Sequence, residues 1–386
     1  MRIGIEAQRI FRHRKHGMDL VALELIRNLQ ELDKENEYII FVKPDIDRCL
    51  SETDNFRIID LPPAPHPIWE QFYLPEAAAL EKCDILHCTS NTAPMYCKMP
   101  LIITLHDIIY MESNGLFQQA FTREQKTINL YRRYVVPRAV RRSERIVTVS
   151  EYEKENIGNF FQLDSHKLMA VYNGVGTHFK KITRPAELEY IKAKYQLPDK
   201  FIFFLGNTDP KKNVRNTLAG YSMYYSQSAE KLPLVMLDYG KDDLLKIARE
   251  LNDEHLPDHI ILTGYIPNAE LPSVYSLAEI MLYPSLRESF GLPVLEAMAC
   301  GVPVITSNTT SMPEVAGDAA LLVNPAQPDE IGRAIEKLLT DKNLATKLIQ
   351  LGHSRSAEFS WRAMASHILR IYNEIGREKD LFNRTV

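Results

Sequence analysis

Two carboxylates flank a loop whose backbone could bind a phosphate. Glu288 lies just before the loop, and Glu296 lies eight residues later in a predicted helix, Leu292–Cys300. Amides at a helix start favour an anion, and Gly291 would let that anion approach the backbone closely. The residues that would present these amides are Ser289, Phe290, Gly291 and Leu292.

A phosphate site bracketed by two carboxylates is typical of nucleotide-sugar binding. One carboxylate would receive hydrogen bonds from the sugar hydroxyls, and the other would receive them from the ribose hydroxyls. The alternative is a pair of solvated Glu side chains on an amphipathic helix, which the spacing alone leaves open.

The residues between the two carboxylates favour the first interpretation. The string E-S-F-G-L-P-V-L-E-A-M-A-C-G-V-P-V-I resembles the Glu-x7-Glu motif of retaining glycosyltransferases of family 4, the group 1 glycosyltransferases, which have the GT-B fold. The resemblance implies that Glu288 contacts the donor sugar and Glu296 the ribose. It also implies that the amides after Glu288 hold the diphosphate.

Two adjacent lysines follow the first predicted strand of the second half of the chain. In G-N-T-D-P-K-K-N, Lys211 and Lys212 lie where a loop becomes a helix, so either could clamp a diphosphate or be a solvated surface lysine. The segment resembles the family's Gly-x-x-x-x-Arg-Lys-Asn sequence, with Lys211 in place of Arg. Lys212 is therefore the expected catalytic cation, and Lys211 is expected to assist it without the bidentate geometry of Arg.

Three further residues are carried over from the resemblance. His106 follows the strand L-I-I-T-L and is either a structural hydrogen-bonding residue or, as in the similar His-Asp step of the family, a donor-sugar contact. Gly17 ends the basic loop R-I-F-R-H-R-K-H-G-M, which is either a charged surface loop or an electropositive mouth near the diphosphate. Tyr265, in a predicted turn, lies where the family's backbone meets the nucleobase.

A basic helical pattern, Thr122–Arg142, has two open interpretations. It is a solvated face, or it rests on an anionic membrane beside a lipid-linked acceptor. Its charged and aromatic residues are Arg123, Lys126, Tyr131, Arg132, Arg133, Tyr134, Arg138, Arg141 and Arg142.

Short apolar strands alternate with helical patterns, which predicts an α/β fold with parallel sheets. In the first half the predicted strands are Ile3–Ala7, Tyr38–Val42, Phe56–Asp60, Ile85–Cys88, Leu101–Leu105, Ile146–Val149 and Leu168–Tyr172, and the main helices are Asp19–Leu32, Trp69–Lys82, Thr122–Arg142 and Glu151–Phe161. In the second half the predicted strands are Phe201–Leu205, Leu234–Leu237, Ile260–Leu262, Ile280–Tyr283, Val302–Thr306 and Ala320–Val323.

The polar stretch Lys180–Pro185 is the expected linker between two domains. The expected division is an acceptor-side domain, 1–179, and a nucleotide-sugar-binding domain, 186–361, both Rossmann-like and doubly wound, facing a cleft. A C-terminal helix follows from Trp361, and by the resemblance residues 362–386 pack back on the first domain.

Composition excludes several classes of protein. The chain has 386 residues, enough for two domains, and its net charge of −4 gives no general attraction to nucleic acid. The five cysteines form no C-x-x-C pair, and no stretch resembles a signal peptide or a membrane span, so a cytoplasmic location is expected. No Asp-x-Asp metal site is evident, and no cofactor is expected.

The resemblance implies transfer of a hexosyl group, mannose or similar, from a nucleotide diphosphate sugar to a sugar hydroxyl with retention of configuration. The acceptor would be a glycan or a lipid-linked sugar in polysaccharide or O-antigen synthesis. The alternatives are a nucleotide-sugar epimerase or hydrolase and a non-catalytic nucleotide-sugar-binding subunit. A dinucleotide dehydrogenase is disfavoured, because no G-x-G-x-x-G sequence opens either half.

Overall fold

The computed structural model describes residues 1–13, 15, 17–112 and 123–383. The chain divides into two compact units: an N-terminal unit, Met1–Gly174 with Ser360–Val386, and a C-terminal unit, Val175–Phe359. The stretch expected to be the linker lies within the C-terminal unit. Lys181 Nζ donates to the Ser276 carbonyl at 2.8 Å and Ile182 N to Ser276 Oγ at 2.9 Å, which holds this stretch against the unit.

The N-terminal unit is built on a seven-stranded, fully parallel sheet in the order β3-β2-β1-β4-β5-β6-β7. Several of its strands are buried along most of their length, which explains why they read as continuous apolar runs. The strands are β1 Arg2–Glu6, β2 Glu37–Val42, β3 Phe56–Asp60, β4 Ile85–Cys88, β5 Leu101–Thr104, β6 Arg145–Thr148 and β7 Leu168–Ala170.

The helices described in this unit are α1 Gly17–Leu32, α2 His66–Ile68, α3 Leu74–Leu80, α4 Arg123–Arg142 and α5 Glu151–Phe161, together with the returning C-terminal helix α14 Trp361–Asn383. Of the sequence-based helices, Thr122 and residues 384–386 lie outside the described residues.

The predicted helix Trp69–Lys82 is interrupted. Residues Trp69–Tyr73 form a π-helical turn between α2 and α3, and the Leu74 N–H donates to the Trp69 carbonyl. Pro75 has no N–H with which to continue an α-helical ladder through this point, so the chain takes the wider turn. Lys82 lies beyond the helix with a positive φ of 53°.

The C-terminal helix completes the N-terminal unit. It packs against α1, and its Tyr372 hydroxyl lies 2.7 Å from His87 Nδ1 in the middle of β4. The other ring nitrogen of His87 lies 2.8 Å from Thr104 Oγ1 on β5. The side chains of His87, Tyr372 and Thr104 are fully buried or nearly so. Burial lowers the pKa of His87 to about 3, so its ring is neutral.

The C-terminal unit is built on a six-stranded, fully parallel sheet in the order β10-β9-β8-β11-β12-β13. Its strands are β8 Ile202–Phe204, β9 Leu234–Met236, β10 Ile260–Leu262, β11 Ile280–Tyr283, β12 Val304–Ser307 and β13 Ala320–Val323. Its helices are α6 Pro185–Tyr195, α7 Val214–Gln227, α8 Lys241–Glu250, α9 Leu271–Leu277, α10 Leu292–Ala299, α11 Met312–Ala316, α12 Pro328–Thr340 and α13 Lys342–Ala357.

The predicted α/β class with two doubly wound parallel sheets is confirmed. One strand begins later than expected: Val302 donates to the Ala297 carbonyl at 3.1 Å and so still belongs to the end of α10, and β12 begins at Val304. The strand order reverses between β8 and β11, and the loops that follow these strands carry the lysines and Glu288. Ligands of such sheets bind at this switch point.

Within the part of the chain that the structure describes, no helix combines the length and apolar character required to cross a membrane.

The buried contact between Tyr372 and His87 generates a stability prediction. Tyr372→Phe removes one partner and leaves a buried imidazole nitrogen unsatisfied, so the N-terminal unit should lose about 1–3 kcal/mol of unfolding free energy. Both tryptophans, Trp69 and Trp361, lie in this unit, so tryptophan fluorescence during urea unfolding measures it. The exposed Tyr190→Phe is the control, and an equal effect of the two variants would contradict the role of the contact.

Candidate active site

The loops after β8 and β11 are fastened to each other at the carboxyl edge of the C-terminal sheet. The Leu286 N–H donates to the Lys211 carbonyl at 2.8 Å. Asn213 adopts a positive φ of 58°, and its Nδ2 donates to the carbonyls of Pro284 at 2.9 Å and Pro325 at 2.6 Å. One buried amide therefore joins the loops that follow β8, β11 and β13.

Lys212 and Glu288 form a buried ion pair at this junction. Lys212 Nζ lies 2.6 Å from Glu288 Oε1, and the two residues are only 9% and 8% exposed. Burial opposes ionisation of Glu288, but the charges of Lys212 and Lys211 outweigh it and hold the pKa of the carboxyl below its usual value. The site therefore holds an ionised carboxylate and an ammonium in contact, away from water.

Tyr283 is a member of this group that the sequence did not single out. Lys212 Nζ donates to its hydroxyl at 2.5 Å and lies 4.5 Å from its ring centroid, so the ammonium is held by an oxygen and faces an aromatic ring. The available signal was its position as the last residue of β11, directly before the loop.

The loop after Glu288 is held by the segment that follows β12, which the sequence analysis also missed. Ser311 Oγ donates to the carbonyls of Glu288 at 3.0 Å and Phe290 at 3.2 Å, and the Glu288 N–H donates to Thr310 Oγ1 at 3.3 Å. These bonds fix the direction of the backbone from Glu288 to the start of α10.

Gly291 is required for this loop. Its φ is +101°, which side-chain-bearing residues rarely adopt, and a Cβ there would lie 2.2 Å from Met312 Cε. The helix begins at Leu292; Pro293 has no N–H, and Val294 N donates to the Gly291 carbonyl at 3.1 Å. An anion at this helix start must therefore accept hydrogen bonds from backbone N–H groups of residues that precede Pro293.

Glu296 lies on α10, in the second helical turn. Its Oε2 accepts a hydrogen bond from the Tyr275 hydroxyl at 3.2 Å. Burial raises its pKa to about 7, and the bond from Tyr275 only partly opposes this rise. Near neutral pH this carboxyl is therefore balanced between its two protonation states.

Lys211 and Tyr265 lie further toward solvent on the same unit. Lys211 is partly exposed, and its Nζ lies 3.7 Å from Asp209 Oδ2. Tyr265 is exposed in the loop after β10 and follows Gly264, whose φ is +68°. Both follow strands at the carboxyl edge of the sheet that also carries Glu288.

His106 and Gly17 belong to the N-terminal unit. His106 is buried just beyond β5, and its Nε2 donates to the Thr89 carbonyl at 3.0 Å, so its Nδ1 carries the lone pair of the neutral ring. Burial lowers its pKa and favours this neutral form. Gly17 is the first residue of α1, and a Cβ there would meet nothing within 4 Å. Gly17 is therefore not required by packing within the described residues.

The structure brings together Lys211, Lys212, Glu288, Glu296 and the helix start on one edge of the C-terminal unit, and it places His106 and Gly17 on the N-terminal unit. Among the described residues, no three His, Cys, Asp or Glu side chains are grouped so that they could hold a metal ion.

Two family models match the chain. That for group 1 glycosyl transferases covers residues 189–355, and that for glycosyltransferase family 4 covers residues 16–179. The chain belongs to these family 4, group 1 glycosyltransferases, and its fold is GT-B.

The structural neighbours share the fold. Sucrose-phosphate synthase from Thermosynechococcus elongatus superposes with a TM-score of 0.73 at 18% identity, covering 98% of this chain and 99% of the neighbour. Anabaena HepE in complex with UDP-glucose superposes with a TM-score of 0.71 at 15% identity, covering 97% of this chain and 100% of the neighbour.

Two relatives from Escherichia coli are more similar in sequence. O-antigen chain mannosyltransferase B is 33% identical over 231 residues, which are 59% of this chain and 60% of the relative. Serotype-specific mannosyltransferase WbdA is 32% identical over 232 residues, 59% of this chain but only 28% of the relative. The match thus spans less than two thirds of either relative's length.

The environment of Glu296 generates a titration prediction. In ¹³C NMR of the side-chain carboxyls, the resonance absent from Glu296→Gln should titrate at about pH 7 rather than at the usual 4.5. Because the folded state has the higher pKa, this group's contribution to unfolding free energy is fully present below pH 4.5 and is lost as the pH rises through 7. The exposed Glu254→Gln should leave that resonance in place. Titration of the Glu296 resonance at the usual value would show that the carboxyl is solvated.

Proposed function

We propose that the protein is a retaining glycosyltransferase. It moves a hexosyl group, mannose or similar, from a nucleotide diphosphate sugar to a sugar hydroxyl of a glycan or lipid-linked acceptor in polysaccharide or O-antigen synthesis. The observation that carries the proposal is the buried Lys212–Glu288 pair beside a helix start at which Gly291 adopts a φ of +101°. Family membership and the O-antigen mannosyltransferases among the relatives support it.

Each part of the donor has a proposed partner. The diphosphate binds the amides from Ser289 to Leu292 and the ammonium groups of Lys212 and Lys211. The sugar contacts Glu288 and His106, and the ribose hydroxyls donate to Glu296, for which the carboxyl must be ionised. The base lies near Tyr265, and Gly17 is retained as a donor-binding residue because the family resemblance implies it.

The proposed step breaks the bond between the anomeric carbon and the phosphate oxygen, and it forms a bond from the acceptor oxygen to the same face of that carbon. The acceptor proton passes to the departing phosphate oxygen, so no side chain needs to become a covalent nucleophile. Negative charge grows on the diphosphate during this step, and a cation fixed in a dry site stabilises it more in the transition state than in the ground state.

We also propose that neither a metal nor a cofactor is required, because the lysine ammonium groups and the backbone amides stabilise the charge of the diphosphate. The proposed location is the cytoplasm, with peripheral contact at an anionic membrane through α4. The outer face of this helix exposes Leu130 and Tyr134, and Arg138 stacks on Tyr134 with its Cζ 3.7 Å from the ring centroid. Apolar and basic side chains on one helix face suit a lipid surface.

The function is tested with a panel of nucleotide sugars. One nucleotide diphosphate hexose should raise the thermal unfolding temperature, because a ligand of the folded state stabilises it by mass action. With a glycan acceptor it should then give a product of unchanged anomeric configuration, equally in EDTA. Release of free sugar only would indicate a hydrolase, an epimerised donor would indicate an epimerase, and donor binding without any turnover would indicate a binding subunit. Metal-rescuable loss of transfer in EDTA would contradict the metal-independent step.

Substitution of Lys212 or of Glu288 should lower turnover more than it weakens binding. Lys212→Ala should lower turnover about 10²-fold or more with a smaller loss of donor affinity, because it acts on charge that grows in the transition state. Glu288→Gln should also lower turnover more than affinity for the free nucleotide diphosphate, because the carboxylate faces the sugar. Nucleotide affinity from calorimetry is compared with the transfer rate.

The control for these variants is Arg141→Ala on the exposed end of α4, which should keep transfer to a soluble acceptor. Since Lys212→Ala also leaves Glu288 buried without its counter-charge, thermal unfolding must first show that the variant is folded. Near-normal turnover of a folded Lys212 variant would remove this lysine from the reaction.

A further inference from the structure

The N-terminal unit contains a second buried polar group, centred on Glu70 in the π-helical turn. We name it the Glu70 cluster, and its members are Gln8, His66, Glu70, Thr92 and Tyr131. Gln8 follows β1 and Thr92 follows β4, so the cluster lies at the carboxyl edge of the sheet, where the strand order reverses between these two strands. Parallel α/β sheets bind ligands at such an edge.

Glu70 is only 2% exposed and is surrounded by donors rather than by a cation in contact. It accepts hydrogen bonds from the hydroxyls of Thr92 and Tyr131, the second at 2.5 Å, and from Gln71 Nε2 at 2.9 Å. Burial raises its pKa to about 7. Burying a carboxyl in this way is costly, and π-helical turns frequently occur at functional sites, so the cluster calls for a role beyond packing.

His66 is the member nearest the surface. Its Nδ1 lies 2.9 Å from Gln8 Oε1, and its Nε2 lies 3.3 Å from Thr92 Oγ1 and 3.4 Å from Glu70 Oε1. Gln8 Oε1 can only accept, so Nδ1 carries a proton. Glu70 orients Thr92 from behind by accepting the hydrogen bond from its hydroxyl, and Thr92 in turn lies beside His66. Glu70 is therefore a positioning residue.

The cluster is continuous with His106 through hydrogen bonds. His106 Nε2 donates to the Thr89 carbonyl, and the Thr89 N–H and hydroxyl donate to Glu6 Oε2 at 3.2 and 3.3 Å. The Gln8 N–H donates to the other Glu6 oxygen at 2.9 Å, and Gln8 holds His66. One polar chain therefore runs from the residue proposed to touch the donor sugar to the Glu70 cluster.

Cations surround the outer side of the cluster. The pKa of His66 is lowered to about 4, mainly by burial. Four nearby positive charges lower it further: those of Arg9, Arg132, Arg12 and Lys43. The Lys43 N–H donates to the Gln8 carbonyl at 3.4 Å, and Arg12 N to the Arg9 carbonyl at 3.2 Å, which places these residues beyond β1 and β2. Carboxylates on this side include Asp19, 3.5 Å from Arg9 Nε, the buried Glu6 and Glu70, and Asp47, which pairs with Lys15.

We propose that the acceptor binds the N-terminal unit at the Glu70 cluster through an anionic group, a phosphate or a carboxylate, held by Arg9, Arg12 and Lys43 beside His66. This inference rests on the proposed function. An acceptor hydroxyl must reach the anomeric carbon of the donor, and the Glu70 cluster adjoins the one proposed sugar contact of the N-terminal unit. The acceptor class is therefore an acidic or phosphorylated sugar rather than a neutral one.

The test uses tryptophan emission. In a Trp361→Phe background the sole remaining tryptophan is Trp69, which is fully buried and adjacent to Glu70 in the sequence. The probes are α-D-mannose 1-phosphate, D-glucuronate, inorganic phosphate and the neutral methyl α-D-mannoside, all at one ionic strength. The first two arms separate a phosphate from a carboxylate, and inorganic phosphate shows whether the anion alone suffices.

At least one anionic probe should give saturable binding, with an affinity about tenfold or more above that of the neutral glycoside. Arg9→Gln and the exposed Arg12→Gln should each weaken it about tenfold, as expected for loss of a charged hydrogen bond. Arg57→Gln, which removes the same charge near the start of β3 at the opposite edge of the sheet, should change it less than about twofold.

If the neutral glycoside bound as tightly as the anionic probes, the acceptor would not be an anionic sugar. If Arg9→Gln and Arg57→Gln lowered the affinity equally, the effect would come from the overall charge of the protein and not from this site. No saturable signal from any probe would overturn the site. Failure of the proposed function is separate, because the nucleotide-sugar panel reports donor binding by the C-terminal unit without any of these probes.

Discussion

The C-terminal unit depends on one ion pair withdrawn from water. Burying either Lys212 or Glu288 alone would cost free energy, because its charge would have no partner. Their contact at 2.6 Å lets both be buried together. Since the two residues follow different strands, the pair fixes the separation of the loops after β8 and β11, and Asn213 adds the loop after β13. The diphosphate site proposed here is thus held at a set position before any ligand arrives.

Two buried carboxyls show how neighbours decide protonation. Glu288 and Glu70 are almost equally hidden from solvent, yet the pKa of Glu288 is lowered and that of Glu70 rises to about 7. Glu288 is in contact with the ammonium of Lys212. Glu70 accepts hydrogen bonds from two hydroxyls and a side-chain amide, and the charge of Glu6 lies nearby. A charged partner outweighs the burial penalty, and neutral donors only reduce it.

The sequence predicted most of the fold because buried parallel strands are recognisable as apolar runs, such as Leu101–Thr104. It also located the candidate site of the C-terminal unit, because Glu288, Gly291 and Glu296 share one short segment; the chemical role of each stays a prediction. It missed partners that only the topology supplies: Tyr283, Ser311 and Glu70 meet residues between about twenty and seventy positions away. The π-helical turn escaped prediction because apolar periodicity does not reveal how the chain adapts to Pro75.

The return of α14 to the N-terminal unit determines when that unit can be completed during synthesis. The C-terminal unit is one continuous stretch, 175–359, and all of its residues have been synthesised before residue 360 is added. The N-terminal unit must wait for Tyr372 to reach His87, with the face of α1 that receives α14 uncovered until then. The residues translated before the C-terminal unit thus belong to a unit that is completed after it, an inversion of the usual order in which domains mature.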